Sequence, residues 1–156
     1  MPRVTTPLER FEFSMHDMLM RIRGVGDTGG QIVIVAIDDF TFNWTGYQYP
    51  MPRAYLAQII RYLNDSGARL IGLDILLFEE GYDAGGDAAL AAAMEAAGAS
   101  VTVMQIYEDA ENNVITLKLP LTPYRTSVDA IGITEVLLDD DAIARGVRPV
   151  RAYGGD

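Results

Sequence analysis

The chain has 156 residues, of which 49% are hydrophobic, and it carries a formal net charge of −10 and no cysteine. This length fits about one globular domain, and the hydrophobic content excludes a disordered chain. The acidic balance disfavours nucleic acid and anionic membrane surfaces, because both are bound through clustered Lys and Arg. Without cysteine, the chain can form no disulfide, thiolate metal site or cysteine nucleophile. The composition therefore favours cations over polyanions as partners.

A leading amphipathic helix is predicted for the segment TTPLERFEFSMHDMLMRIRG. Thr6 and Glu9 have the spacing of a capping box, Pro7 falls at the first helical position, and Gly24 follows the last turn. The apolar side chains of the segment share one stripe, formed by Leu8, Phe11, Met15, Met18, Leu19 and Ile22.

The stretch GVGDTGG comes next and has the glycine spacing of a dinucleotide-binding fingerprint. That fingerprint needs a strand before it and a helix after it, whereas here a helix precedes it and a predicted strand follows. We interpret the stretch as a connector. The expected organisation is a leading helix and connector in residues 1–28, followed by a single α/β domain in residues 29–156.

Two strand–helix–strand units are predicted for the middle of the chain. Residues 31–38, within the run QIVIVAIDD, form the first predicted strand. A helix opens at Pro52 and closes at Gly67, and the next strand runs from Arg69 to Leu76. The apolar residues of this helix fall on one stripe, formed by Leu56, Ile59, Ile60 and Leu63. Such a crossover makes neighbouring parallel strands with a right-handed connection. The continuous apolar runs agree with strands that are covered on both faces.

The second unit consists of a helix with Asp87 as its predicted cap, ending at Gly98, and the strand SVTVMQIY. Beyond it, VITLKLP alternates like a half-exposed strand and AIGITEVLL is a further short apolar run. RGVRPVRAY is a candidate edge strand, because Pro149 keeps it out of a central position. The predicted fold class is α/β, a three-layer sandwich with a mainly parallel central sheet and a leading amphipathic helix.

Carboxylates follow the first two predicted strands. Asp38 and Asp39 end the first strand and Asp74 lies near the end of the second. Ligands bind outside the carboxyl ends of an open parallel sheet, and neighbouring strands would bring Asp38 and Asp74 close enough to share Mg²⁺ or Ca²⁺. Two alternatives stay open: the carboxylates cap the turns that follow the strands, or they contact an organic ligand directly.

Arg53 is the other charged candidate. It opens a predicted helix, where the dipole disfavours a positive charge, and pairing with Asp38, Asp39 or Asp74 would compensate. The aromatic residues before it, Trp44, Tyr47 and Tyr49, either line a pocket or cover the open edge of the sheet. The complete set of candidate ligand-binding residues is Asp38, Asp39, Trp44, Tyr49, Arg53, Asp74 and Glu79.

Catalysis has little support in the sequence. No Walker loop, nucleophile elbow or metal-binding histidine pair is present, and the single histidine, His16, lies in the leading helix. One alternative function is a Mg²⁺-dependent phosphotransfer or hydrolytic α/β enzyme that uses Asp38 and Asp74 as metal ligands. A further alternative is a structural dimerisation module, in which the apolar stripe of the leading helix pairs with its copy.

Several stretches together resemble the type-two CHASE domain, a sensor module of bacterial membrane receptors. They are HDMLMRIRG, IVIVAIDD, GYQYPMPRAYLAQIIRYLNDSGARLIGLDILLFEE and DAALAAAMEAAG, and the resemblance extends from about Met15 to Val103. Tyr49 and Met51 stand where the family usually has tryptophan.

The resemblance implies an extracytoplasmic sensory module of a bacterial transmembrane signalling receptor, without catalysis of its own. The module would regulate a cytoplasmic output domain outside this chain, such as a cyclase, a histidine kinase, a protein kinase or a diguanylate cyclase. It implies that the domain is truncated at its C-terminus and that the parent protein is anchored in the membrane, with this part at its periplasmic or outer face. The chain alone is expected to be soluble, since its apolar runs are too short to span a bilayer. The resemblance names no ligand and no cofactor.

Overall fold

The structure is a computed structural model that describes residues 6–26, 29–109, 114–134, 136, 138–139 and 141–146. These residues belong to two compact units. The larger unit lies within residues 38–135, and the smaller one combines described residues from 1–37 and from 136–156. The described residues of the smaller unit form one helix, α1 (Pro7–Arg23).

The larger unit alternates helices and strands and confirms the predicted α/β class. Its elements in chain order are α2 (Asp39–Thr45), α3 (Arg53–Asp65), β1 (Ile71–Gly72), α4 (Gly86–Ala96), β2 (Ser100–Asp109), β3 (Val114–Lys118), α5 (Thr122–Thr126) and β4 (Ala130–Ile133).

Strand β2 organises the sheet. It pairs in parallel with β1, where Ile71 lies opposite Ser100, and in parallel with β4 along its first half. Its second half pairs antiparallel with β3, from Gln105 opposite Lys118 onwards. Among the described residues, two of the three strand pairs are therefore parallel, as predicted. Because β1, β2 and β4 run the same way, the connections between them have to cross over, and α4 provides one such crossover.

The core of the larger unit lies between α3, α4 and the sheet. Both helices contribute side chains that are at most 2% exposed, among them Leu56 and Ile60 from α3 and Leu90 and Met94 from α4. The alanines of α4 add little bulk, so the two helices pack closely. Replacing one of the large buried side chains with alanine should lower the free energy of unfolding by about 2–5 kcal/mol. The apolar stripe predicted for α3 is thus confirmed as its buried side.

The predicted strand over residues 31–38 is wrong. The structure assigns no strand to these residues, and Ile32, Val33 and Ile34 are 71–87% exposed. Asp38 does not end a strand but begins a helix, as the N-cap of α2. The physical reason is that β-branched residues favour a strand only where another strand offers its edge, and their composition does not specify that edge.

The strand predicted from Arg69 to Leu76 is shorter than expected. Only Ile71–Gly72 is assigned to β1, and the last backbone bond to β2 runs from the Leu73 N–H to the Val101 carbonyl, at 2.8 Å. Beyond that bond, Leu77 is fully buried and its carbonyl accepts a hydrogen bond from Leu121 N–H at 2.9 Å. The segment therefore leaves the sheet to reach α5.

Two predicted helix starts have different outcomes. The capping box of α1 is confirmed, with the Glu9 N–H donating to the Thr6 hydroxyl at 3.3 Å and the Thr6 N–H donating to the Glu9 carboxylate at 2.6 Å. In α4, Gly85 is the N-cap, at φ +73°, and Asp87 lies in the first turn. Asp87 cannot act as the cap because its carboxylate is used elsewhere, as described below.

Two further observations concern the ends of the described chain. The candidate edge strand over residues 145–153 falls almost wholly outside the described residues, which stop at residue 146. In the part of the chain that the structure describes, no helix is both long and apolar enough to cross a membrane.

Candidate functional site

Asp83 provides the missing cap of α3. Pro52 precedes this helix and has no side-chain group to accept the first amides, so the N–H groups of Arg53 and Ala54 donate to the Asp83 carboxylate instead, at 2.9 and 2.8 Å. Burial acts to raise the pKa of Asp83, but the bonds from Ala54 and Arg53 outweigh it and hold this pKa below its usual 3.8. A carboxylate at a helix N-terminus is also stabilised by the helix dipole.

Asp87 connects three segments of the larger unit. From the first turn of α4, its two oxygens accept the Gly81 N–H at 3.1 and 2.9 Å. The hydroxyl of Tyr124, from α5, donates to one of the same oxygens. Tyr124 is fully buried, and burial together with the Asp87 carboxylate raises the pKa of its hydroxyl. Tyr124 is therefore held in its protonated, hydrogen-bonding form.

Arg53 lies between these carboxylates. Its side chain is only 7% exposed, and its Nε lies 3.6 Å from an Asp87 oxygen, which makes an ion pair but not a hydrogen bond. The buried Nε has no hydrogen-bond partner among the described residues. The expectation that Arg53 pairs with Asp38, Asp39 or Asp74 is thus wrong. Its partner is Asp87, because the packing of α3 against α4 brings the first turns of the two helices together.

Two glycines allow this Arg53 cluster, which consists of Arg53, Asp83, Asp87 and Tyr124. A Cβ at Gly81 would lie 2.5 Å from the Arg53 Cγ, and a Cβ at Gly86 would lie 2.0 Å from an Asp83 oxygen. Both distances are shorter than real Cβ atoms show, so only glycine lets the backbone before and at the start of α4 come this close to the cluster.

The Arg53 cluster is suited to holding segments together. Its carboxylates accept backbone and hydroxyl hydrogen bonds, and its arginine and tyrosine are buried, so little of it can be reached from solvent. In the described residues, no group of three or more His, Cys, Asp or Glu could hold a metal ion. The cluster therefore fixes the start of α3, the loop before α4 and the position of α5 relative to one another.

Asp38 is committed to a local role. Its carboxylate accepts the Thr41 N–H and the Thr41 hydroxyl, both at 3.0 Å, and these bonds lower its pKa. No hydrogen bond or ion pair in the described part of the chain joins Asp38 to Asp74. The observed contacts favour the turn-capping alternative for Asp38, which leaves its oxygens less free for a metal ion.

The other candidate ligand-binding residues lie at the surface. Trp44 and Tyr49 are 76% and 84% exposed, whereas Tyr47 packs edge-on against Tyr55 with the ring centres 5.3 Å apart. The acidic candidates Asp39, Asp74 and Glu79 are also exposed. The stretch from α2 to the start of α3 thus presents aromatic surface to solvent, and it leads directly into Arg53.

A second arginine-centred cluster lies in the smaller unit, and we call it the Arg145 clasp. Arg145 donates to Asp17 of α1 through Nε at 2.8 Å and through Nη2 at 3.0 Å, which is a two-pronged contact. It also donates to Asp139 at 3.0 Å and to Asp141 at 2.7 and 2.8 Å. Its guanidinium carbon lies 4.5 Å from the centre of the Phe13 ring. The clasp ties residues 139 and 141–145 to α1.

The charges of the clasp reinforce one another. The hydrogen bonds to Arg145 lower the pKa values of Asp17 and Asp141, and the carboxylates raise the pKa of Arg145. All of these groups therefore stay charged throughout the ordinary pH range.

Sequence analysis missed most residues of both clusters. Asp83 and Tyr124 were not singled out, because a carboxylate in a glycine-rich loop and a tyrosine in a short helix carry no local signal of a shared contact. The sequence feature that could have pointed to the Arg53 cluster was Asp87, which begins DAALAAAMEAAG, one of the stretches that carry the family resemblance. Its ion pair with Arg53 joins two of the resembling stretches.

This geometry defines the class of the protein: an α/β domain with a mostly parallel sheet, a leading amphipathic helix and a buried arginine paired with a partly exposed aspartate. The model of the CHASE2 domain family matches residues 2–154, nearly the whole chain. The chain belongs to the CHASE2 family, whose members are extracytoplasmic sensor domains of bacterial signalling receptors. No curated protein and no solved structure matches the chain significantly.

Proposed function

We propose that this chain is the sensory module of a bacterial transmembrane receptor and lies at the periplasmic or outer face of the membrane. It regulates a cytoplasmic output domain outside these 156 residues and performs no catalysis of its own. The observation that carries the proposal is the family match over residues 2–154. The ligand is a small molecule or a cation.

The proposed ligand-contacting surface is the exposed aromatic stretch before α3. Trp44 and Tyr49 are the most exposed aromatic candidates, and the exposed acids Asp39, Asp74 and Glu79 complete the set. Arg53 lies behind this surface, since it is buried, and Asp38 is occupied as the cap of α2. Aromatic faces together with carboxylates suit a ligand that carries a positive charge.

A signal requires that the ligand binds one conformation better than another. Tyr49 lies four residues before Arg53, and the intervening Met51 and Pro52 are buried. A ligand that repositions this stretch therefore acts on the first turn of α3, and through Arg53 on Asp83 and Asp87. The Arg53 cluster would pass the change on to α4 and α5.

A thermal melt of the full chain tests the proposal. The chain is melted with EDTA, Mg²⁺, Ca²⁺ and a panel of small cationic and neutral metabolites. A ligand at 100 times its dissociation constant stabilises the fold by about 2.7 kcal/mol, which raises the melting temperature by several degrees.

Matched variants locate the site. The stabilisation should disappear in Trp44→Ala and weaken in Asp74→Asn. It should persist in Tyr62→Ala, because Tyr62 is as exposed as Trp44 (72% against 76%) but lies toward the other end of α3. If no compound shifts the melt, or if Trp44→Ala and Tyr62→Ala behave alike, the proposed surface is wrong.

A further inference from the structure

The apolar side chains of α1 follow a coiled-coil repeat. Those at positions 8, 11, 15, 18 and 22 are separated alternately by three and four residues, which is the spacing of the core positions of a heptad. We call this row the α1 seam; it consists of Leu8, Phe11, Met15, Met18 and Ile22. A repeat of 3.5 residues keeps one narrow face turned toward a partner helix along the whole length of α1.

The α1 seam is the uncovered side of the helix. Its five side chains are 43–69% exposed, and no residue of α1 is buried. The partly buried positions are instead Glu9, Phe13 and Asp17, at spacings of four, where Arg145 contacts Phe13 and Asp17. A surface helix normally turns its apolar face inward. Here the Arg145 clasp covers the polar side and leaves the apolar side open.

The charge pattern beside the seam suits a second copy of the same chain. Two copies of a molecule with a net charge of −10 repel each other, and the repulsion is weakest where the touching surfaces carry no net charge. The positions that flank the seam are Glu12, Ser14, Leu19 and Arg21, which carry one negative and one positive charge. This face therefore carries no net charge, so it is a side along which two copies meet little local repulsion.

We propose that the α1 seam is a homodimerisation surface, on which the seam of one chain packs against the seam of a second chain. If each of the ten seam side chains in such a pair contributes on the order of 100 Å², the pair buries about 1,000 Å², the lower end for specific interfaces. The Arg145 clasp fixes which side of α1 faces the partner. This inference is independent of the ligand, since a sensor could bind its ligand as a monomer.

Sedimentation equilibrium of the full chain over a range of concentrations tests the pairing. Wild type should reach twice the monomer mass, and Met18→Glu should stay at the monomer mass because a carboxylate enters the seam. The matched control is Met20→Glu, since Met20 is 46% exposed, close to the 56% of Met18, but lies off the seam. Met18→Leu should preserve the dimer, because leucine suits this heptad position.

Far-UV circular dichroism of each variant shows whether the fold is retained. We expect that it is, because Met18 is more than half exposed in its own chain. Two results would overturn the proposal: a wild-type chain that is monomeric at every concentration, or a dimer that persists unchanged in a folded Met18→Glu variant. In the first case the seam is covered by some other partner, and in the second the dimer uses a different surface.

Discussion

Two arginines, one in each unit, are almost equally enclosed but are held in opposite ways. The Arg53 side chain is 7% exposed and has one carboxylate at 3.6 Å, whereas the Arg145 side chain is 9% exposed and has three carboxylates at 2.7–3.0 Å. The acidic partners of Arg145 are themselves 34–37% exposed, against 23% for Asp87. Arg53 is thus fixed by the packing around it, and Arg145 is fixed by its ion pairs.

The difference indicates different tasks. A buried charge has lost its contact with water, and a single distant partner compensates only part of that cost. Removing the partner leaves the charge uncompensated and is therefore costly. A cluster of partly exposed ion pairs contributes less stability, responds to salt and can open and close more readily. The Arg53 cluster is therefore the rigid part of the larger unit, and the Arg145 clasp is an adjustable connection to α1.

The largest expected effect comes from Asp87→Ala. The substitution removes the ion partner of Arg53 and the acceptor of Gly81 N–H and Tyr124 hydroxyl, and it should lower the free energy of unfolding by about 3 kcal/mol or more. Denaturant titration measures the loss. Asp39→Ala is the control, since Asp39 is an exposed acid in the first turn of α2 and should change stability little. Equal losses in the two variants would contradict a rigid Arg53 cluster.

Gly86→Ala should have the next largest effect. Its Cβ would meet an Asp83 oxygen at 2.0 Å, so the cap of α3 must shift, at a cost of about 1–3 kcal/mol. Gly72→Ala is the control, because no atom lies within 4 Å of a Cβ there and its φ is not positive. Thermal melts of the two variants check the difference, and a Gly86→Ala variant as stable as Gly72→Ala would mean that the loop is not closely packed.

The stability of the fold should decrease at both ends of the pH scale, and a different group should be responsible at each end. The pKa of Asp83 is lowered in the fold, so its contribution is present above its unfolded pKa of 3.8 and is lost as the pH falls through the lower folded pKa. The pKa of Tyr124 is raised in the fold, so its contribution is present below 10.0 and is lost as the pH rises from there toward the folded pKa.

Titration of unfolding against pH, with Tyr124→Phe as the comparison, measures the alkaline part of this dependence. The free energy of unfolding of wild type should decrease above pH 10. It should decrease less in the variant, because phenylalanine has no hydroxyl to ionise. A Tyr124→Phe variant with an unchanged alkaline decline would show that other groups cause it.

The smallest effect on global stability is expected for Arg145→Gln. The variant loses the contact to Asp17, so α1 should exchange its amide hydrogens faster while the core strands and helices of the larger unit stay protected. High salt should produce the same change in wild type, since it screens partly exposed ion pairs. Unchanged exchange in α1 under both conditions would mean that the clasp does not hold the helix.

Local features of the sequence predicted local features of the fold. The capping box at Thr6 and Glu9, the apolar stripe of α3 and the strand β2 depend on residues close together in sequence, and all three are confirmed. The parallel pairing followed from the strand–helix–strand order, which also fixes the handedness of the connections.

The failures share a different cause. Residues 31–38 have strand composition but no strand partner, and the partner of Arg53 proved to be an acid 34 residues away rather than one at a predicted strand end. Both depend on which segments meet in three dimensions. Periodicity does not encode this information, and Tyr124 could not be assigned to the cluster for the same reason.

Fluorescence of Trp44 tests the central claim, that ligand binds at the exposed stretch before α3, most directly. It is the only tryptophan of the chain and is 76% exposed, so its emission reports on this surface alone. A ligand that raises the melting temperature should shift or quench the emission, with saturation at the dissociation constant that the melts give. A ligand that stabilises the fold while the emission of Trp44 stays unchanged would contradict the claim and place the sensing surface elsewhere.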